Sequence, residues 1–243
     1  MTHPTSVINV SHAGKKFGAK SVLEDITLEV QPGETFGLLG PSGSGKTTLV
    51  KLLSGIDEAS SGEIHVFGTL MPKLSMLNRI GYMAQSDALY TELSALENLQ
   101  FFAAIYGLNG SRRRQRIAEV MELVALSDHL HKRVDQYSGG MKRRLSLAIT
   151  LLHEPSLLIL DEPTVGIDPL LRKSIWDELK ILNTKGTTIV MTTHVMDEAE
   201  KCHRLGMIRD GQLLAVDTPE ALIQNAGKNS IEEAFIYYGG GQS

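Results

Sequence analysis

Between a short apolar run and an amphipathic one, this chain carries Gly40-Pro41-Ser42-Gly43-Ser44-Gly45-Lys46-Thr47, and no other segment constrains its fold as tightly. The pattern is G-x-x-x-x-G-K-[ST]: glycines let successive backbone N–H groups converge on phosphate oxygens, and the lysine adds positive charge. Thr35-Phe36-Gly37-Leu38-Leu39 before it reads as a short buried strand, and Leu49, Val50, Leu52 and Leu53 after it give the apolar side of a helix that stops near Gly55. A phosphate bound here sits at a helix N-terminus, where unpaired N–H groups and the helix dipole favour an anion. The bland alternative is a Gly/Ser-rich turn that binds nothing. Strand, loop, Lys-Thr pair and helix together weigh against it.

A second apolar run, Leu157-Leu158-Ile159-Leu160, follows Pro155 and ends in Asp161-Glu162. It reads as a strand buried on both faces, as in a parallel sheet, so its carboxylates emerge at the strand end where open α/β sheets bind ligands. Asp161 is suited to holding Mg²⁺ through water, with Thr47 as the expected ligand from the phosphate loop. Glu162 then lies beside the γ-phosphate, able to orient or deprotonate an attacking water. Seen alone, such a pair is an exposed acidic loop start; paired with the phosphate loop, that reading is the poorer one.

Composition sets limits on everything else. With 243 residues, 42% of them hydrophobic, the chain can bury one large core or a core plus a small lobe. A net charge of -4 argues against a general nucleic-acid binder, whose phosphate contacts require a basic surface. Cys202 is the one cysteine, which excludes an internal disulfide framework and suits a reducing compartment, and the histidines show no metal-ligand spacing. No apolar run approaches the roughly 18 to 20 residues that span a bilayer, and no signal peptide is evident, so any transport pore is expected in another polypeptide. Arg112-Arg113-Arg114-Gln115-Arg116 can be a site for RNA, DNA or anionic lipid, but apolar helical spacing follows it, which favours a solvated helix face.

Two further motifs make the pattern specific. Tyr137-Ser138-Gly139-Gly140-Met141 comes shortly before the Asp161 strand and opens a helix whose apolar face is Met141, Leu145, Ala148, Ile149 and Leu152, and a lone His194 follows an apolar run at 187–193. On these motifs, in this order, the chain resembles the nucleotide-binding subunit of an ATP-binding cassette (ABC) transporter over nearly all of its length. The resemblance implies an α/β fold: a P-loop NTPase (RecA-like) core with an N-terminal antiparallel β-subdomain and an inserted α-helical subdomain. It implies ATP and Mg²⁺ as cofactors, with Gly40, Pro41, Ser42, Gly43, Ser44, Gly45, Lys46, Thr47 and Thr48 around the phosphates and metal. Gln85 then matches the Q-loop that senses magnesium and the attacking water, and His194 the switch histidine at the γ-phosphate. Ser138, Gly139 and Gly140 match the signature that contacts the nucleotide of the other subunit. Val165-Gly166-Ile167-Asp168 resembles the D-loop at the dimer interface, and Phe17 the aromatic that stacks on adenine. Taken alone, Phe17 reads as a core residue and His194 as a capping or surface histidine.

Tyr137 and Met141 stand where Leu and Gln usually flank the signature. This wording, together with residues 93–107, resembles the bacterial drug-resistance and nodulation-factor exporters. The expectation is an ATPase that works as a head-to-tail dimer, homomeric or heteromeric, on a separate membrane permease at the cytoplasmic face of the membrane. A non-transport ABC ATPase acting on ribosomes or DNA is the alternative; the second cassette or the coiled-coil and zinc insertions usual there are not seen. A stand-alone GTPase is weaker, because no N-K-x-D motif follows the phosphate loop. The cargo is not legible, since the family's substrate contacts lie in the permease.

Along the chain, strands are expected at residues 7–10, in the alternation Ile26, Leu28, Val30, and at 64–67. Ser94-x-x-Glu97 forms a capping box for a helix stopped by Gly107, and Ile117, Val120, Met121 and Val124 mark a second helix. A hairpin turns at Asp210-Gly211, and short helices follow Thr218-Pro219 and Ser230-x-x-Glu233. The expected division is one nucleotide-binding unit over 1–243: core and β-subdomain at 1–85 and 153–217, helical subdomain at 86–152, and C-terminal helices with a floppy Gly239-Gly240-Gly241 tail at 218–243. Residues 86–106 are the expected docking segment for the permease, with Asp87 and Tyr90 as contacts.

Overall fold

Alternating apolar residues build the first two strands, β1 (Ile8–Phe17) and β2 (Lys20–Val30), which pair antiparallel in a computed structural model that describes residues 6–240. Both run longer than the alternation predicts. Register shifts after Val10 and Ala13 break the period while the pairing continues, and the bulged residues His12 and Asp25 take positive φ. With β4 (Ser61–Val66) and the two-residue β5 (Thr69–Leu70) they complete a four-stranded antiparallel sheet in the order β2-β1-β4-β5.

The second sheet holds the chemistry. Its strands are β3 (Thr35–Leu39), β6 (Ile80–Met83), β7 (Leu157–Asp161), β8 (Thr188–Thr193), β9 (Arg204–Arg209) and β10 (Gln212–Asp217), in the order β10-β9-β3-β8-β7-β6. All neighbours are parallel except the edge pair β9-β10. Helix α1 (Lys46–Ser54) follows β3 and ends on Gly55 in the left-handed region. The central strands β3, β7 and β8 are buried on both faces, and their side chains alternate between two cores. Phe36, Leu38, Leu157, Ile159 and Val190 pack with Leu49 and Leu53 of α1 and with Val10, Ile26 and Ile64 of the antiparallel sheet. Leu158, Leu160, Ile189 and Met191 face the other way, into a core shared with the helices. At about 1.5–3 kcal/mol per buried aliphatic side chain, these two faces supply the driving force that fixes the register of the sheet.

Helices α2 (Ala95–Ile105), α3 (Gly110–Leu123) and α4 (Gly139–Leu151) follow β6 in sequence. The capping box forms as the sequence predicts, with Ser94 and Glu97 each satisfying the other's backbone N–H, and Gly107 follows the end of α2 with φ 71. Arg112 and Arg114 are exposed, as expected of a solvated face, but Arg116 turns inward and donates to the Leu151 and Leu152 carbonyls at the end of α4. Helix α5 (Pro169–Thr184), absent from the strand-and-helix expectations, runs between β7 and β8. Its signals are ordinary ones: Asp168 caps Leu171 N–H, Pro169 occupies the first turn, and Ile175, Trp176 and Leu179 recur on one buried face. The short α6 (Met196–Ala199) follows β8 and was not anticipated either. Helices α7 (Pro219–Ala226) and α8 (Ile231–Tyr238) start at Thr218 and Ser230 as predicted. Gly239, expected in a floppy tail, caps α8, and its carbonyl accepts from Arg209 at 2.8 Å. Gly241 lies outside the described residues.

Candidate nucleotide and hydrolysis site

Three adjacent parallel strands, β3, β8 and β7, end on the same edge: Leu39 pairs with Thr193, and Asp161 with Thr192. The phosphate-loop motif leaves β3, the carboxylate pair ends β7, and His194 follows β8, so sheet topology alone brings together residues up to 154 positions apart, from Gly40 to His194.

The loop is held open by its glycines and by a neighbouring hairpin. Gly45 caps α1 with φ 107, which a side chain disfavours. Behind it, Gly211 N–H donates to the Ser44 carbonyl at 3.0 Å and Glu24 N–H to the Gly211 carbonyl at 2.9 Å, so the β9-β10 turn braces the loop against β2. Gly211 has φ 79, and a Cβ there overlaps the Val22 carbonyl. Pro41, Ser42 and Gly43 are exposed, Thr47 and Thr48 are half-buried in the first turn of α1, and Ser44 Oγ is buried with no hydrogen-bond partner. Lys46 Nζ donates to the Gly40 and Pro41 carbonyls at 2.7 and 2.9 Å. Burial pulls its pKa down, while the nearby Glu162 and Asp161 carboxylates push it up.

At the end of β7 the carboxylates are tied in differently. Asp161 is fully buried; its Oδ1 accepts from Thr192 Oγ1 at 2.5 Å, and its Oδ2 has no partner. A buried carboxylate oxygen without a donor fits a hard cation, and Mg²⁺ is characteristically bound by one or two carboxylates plus substrate phosphates rather than by an all-protein cage. Among the described residues no cluster of three His, Cys, Asp or Glu forms such a cage. Glu162 is the meeting point: Oε1 lies 3.2 Å from His194 Nδ1, and Oε2 accepts from Gln85 Nε2 at 3.5 Å.

The other predicted residues are spread around this centre. Phe17 is 54% exposed at the end of β1, not a core residue, with Lys15 Nζ 4.9 Å from its ring centroid. Ser138 caps α4, its Oγ accepting from Met141 N–H at 3.2 Å, and Gly139 is open on its outer side. Gly140 lies against the Gly166 carbonyl, which puts the signature next to the segment ending at the exposed Asp168. Among the described residues no hydrogen bond joins Ser138, Gly139 or Gly140 to the phosphate loop.

Several residues of the site escaped the sequence reading. Thr192 accepts from Glu162 N–H at 2.9 Å while donating to Asp161. Glu198, 2% exposed on α6, accepts from Thr164 and from Thr193 Oγ1, the latter at 2.7 Å, and so joins the chain after Glu162 to the chain before His194. Arg143, on α4, donates to the Ala84, Gln85, Asp161 and Glu162 carbonyls. Arg143 lies off the Met141, Leu145, Ala148, Leu152 face, and its one signal is the second row it shares with Leu147 and Leu151 at i+4 and i+8. Tyr137 OH donates to the His129 carbonyl at 2.7 Å, which gives the unusual flank of the signature a structural role.

Comparison with known proteins agrees with this geometry. A family model described as ABC transporter matches residues 23–165. The chain is 40% identical over 228 residues to the Linearmycin resistance ATP-binding protein LnrL of Bacillus subtilis, covering 93% of this chain and 73% of that one. It is 40% identical over 223 residues to the Nod factor export ATP-binding protein I of Paraburkholderia xenovorans, covering 90% and 73%. Among solved structures, the dimeric post-hydrolysis state of the ATP-binding cassette MJ0796 bound to ADP and Pi superimposes with a TM-score of 0.81 at 26% identity, covering 87% of this chain and 98% of that one.

Proposed function

The chain belongs to the ABC transporter family as an ATP-binding subunit and an ATPase, and we propose that it hydrolyses MgATP in a head-to-tail dimer to drive a separate membrane permease that exports its cargo. The observation that carries this reading is the convergence of Gln85 and His194 on the two oxygens of Glu162, beside a phosphate-loop lysine that feels the same carboxylates.

In this reading the backbone N–H groups of residues 40–48 and Lys46 hold the phosphates, and Phe17 stacks on adenine. Thr47 and Asp161 would hold Mg²⁺ and Gln85 would sense it; when bound, the ion would supply charge neutralisation at the phosphates. Glu162 accepts the proton of the attacking water, while Gln85 and His194 orient that water and the γ-phosphate. Ser138, Gly139 and Gly140 contact the nucleotide of the partner subunit at a helix N-terminus, with Asp168 at the interface. Residues 86–152 form the moving lobe; 1–85 and 153–217 form the core, and 218–243 the C-terminal helices and tail.

Export is favoured by what the relatives are named for, linearmycin resistance and Nod factor export. A permease partner places the subunit at the cytoplasmic face of the membrane. Its docking surface is an apolar groove of about 610 Å³ between the end of α1, residues 74–78 and the end of α2. Leu74 and Ile105 there are 81% and 62% exposed, and Tyr90 packs edge-to-face on Phe101 nearby. No described helix is long and apolar enough to cross a membrane.

The test is Glu162→Gln. Loss of a general base lowers the rate by about 10²-fold to 10⁴-fold, so hydrolysis falls by that factor while ATP binding persists, and size-exclusion chromatography with ATP shows a stabilised dimer. Unchanged turnover removes Glu162 from the role of base.

A further inference from the structure

Glu162 is held in a conformation that costs energy. Its φ of 50 lies in the left-handed region, about 1–2 kcal/mol unfavourable for a residue with a side chain. Two bonds flank the strained peptide: Glu162 N–H donates to Thr192 Oγ1 at 2.9 Å, and Glu162 C=O accepts from Arg143 Nη2 at 2.8 Å. The second comes from a residue to which no role has yet been given.

Arg143 stands five residues after Ser138, a turn and a half into the signature helix, with a side chain only 6% exposed. Strands β6 and β7 run side by side to Met83 and Leu160, and beyond them the two chains are joined by the Arg143 guanidinium. Nη1 donates to Ala84 O at 2.6 Å and to Gln85 O at 3.1 Å; Nη2 donates to the Asp161 and Glu162 carbonyls. Asp87 Oδ1 lies 3.5 Å from Nη1 as counter-charge. One planar cation therefore fixes the main chain of both residues whose side chains meet at 3.5 Å, and only Arg has enough donors in a rigid fork to do so. Burial of a full charge is costly, and the four carbonyl bonds of Nη1 and Nη2 with the Asp87 counter-charge offset that cost, although Nε has no partner.

We propose that Arg143 is a positioning residue for hydrolysis. It sets the backbone of Gln85 and Glu162 in the register at which their side chains act together, and it ties that register to the helix carrying Ser138. Movement of the signature helix is thereby delivered to the Glu162 carboxylate. The proposal rests on the reading of Glu162 as the base.

Arg143→Gln and Arg143→Lys test it in the full chain, alone and combined with Glu162→Gln. A misplacement of about 1 Å can cost about a hundredfold in rate, so single-turnover hydrolysis falls about tenfold to a hundredfold in Arg143→Gln and less in Arg143→Lys, which keeps the charge but fewer donors. ATP affinity, measured by direct nucleotide binding, stays within about twofold in each variant. In the Glu162→Gln background the Arg143 substitutions cause no further loss, because a residue acting through Glu162 has nothing left to position. A full, multiplicative loss in that background overturns the proposal, as does a loss that appears only in nucleotide affinity. If Glu162→Gln alone leaves the rate unchanged, the reading of Glu162 fails instead. Thermal unfolding separates these effects from misfolding, and where Arg143→Gln does not fold, Arg143→Lys carries the same comparison.

Discussion

Glu162 and Asp161 are neighbours with opposite surroundings, and the difference assigns them different work. One oxygen of Asp161 is saturated by Thr192 and the other is buried without a donor, whereas both oxygens of Glu162 face movable polar side chains. Thr192 is shared between them, so Thr192→Val, nearly the same in shape, strips a donor from Asp161 and an acceptor from Glu162 N–H. A buried group left unpaired costs about 1–3 kcal/mol, so folding stability should fall by that amount, seen as a lower midpoint in thermal unfolding. The Mg²⁺ concentration giving half-maximal ATPase should rise, since Asp161 is no longer oriented. A variant with wild-type melting and wild-type Mg²⁺ dependence contradicts the pairing. At this scale the phosphate loop, Asp161 and Glu162 are legible because each lies in a local motif, whereas His194 is picked out by the family resemblance alone. Thr192, Glu198 and Arg143 stay hidden, because partners such as Asp161 for Thr192, Thr164 for Glu198 and Ala84 for Arg143 lie 31, 34 and 59 positions away and only folding brings them together.

Among the elements, the strands β3 and β7 are readable because burial on both faces leaves short continuous apolar runs, and α2 because its capping box is local. Helix α5 has equally plain local signals in the Asp168-Pro169 start and the recurrence of Ile175, Trp176 and Leu179. The segment after β6 needed the structure. Asp87, expected as an exposed contact for the permease, is the counter-charge of the buried Arg143; burial pushes its carboxyl pKa up while Arg143 pulls it down. Charge reversal there disturbs the core and says nothing clean about docking. Leu74 and Tyr90 are exposed and lie outside the hydrolysis site. Surface substitutions usually cost within about 0.5 kcal/mol, so Leu74→Glu and Tyr90→Glu should keep the ATPase of the isolated chain within about twofold. Co-expressed with its permease, each should lose association with the membrane fraction. Undiminished membrane association of Leu74→Glu contradicts the groove and that of Tyr90→Glu the 86–106 docking segment, and a wild-type chain that sediments with ribosomes or DNA instead contradicts the transport reading.

For the whole molecule, the residues assigned to the proposed site lie in two separate places. The phosphate loop and the Glu162 cluster share one strand edge, while Ser138, Gly139 and Gly140 form an open helix N-terminus that makes no bond to that loop. In the proposed dimer, a second subunit turned head to tail would supply each loop with the other's signature, and a symmetric pair would have two equivalent composite sites. Neither the pairing nor the permease is written in one chain's local patterns, since both are contacts between molecules. The direct measurement is ATPase activity of Lys46→Ala and Ser138→Arg chains, assayed separately and after mixing. The account predicts that each is inactive alone and that an equal mixture recovers about a quarter of the wild-type rate, the statistical share of sites with both halves intact. Two variants that are each fully active as homodimers contradict a shared site.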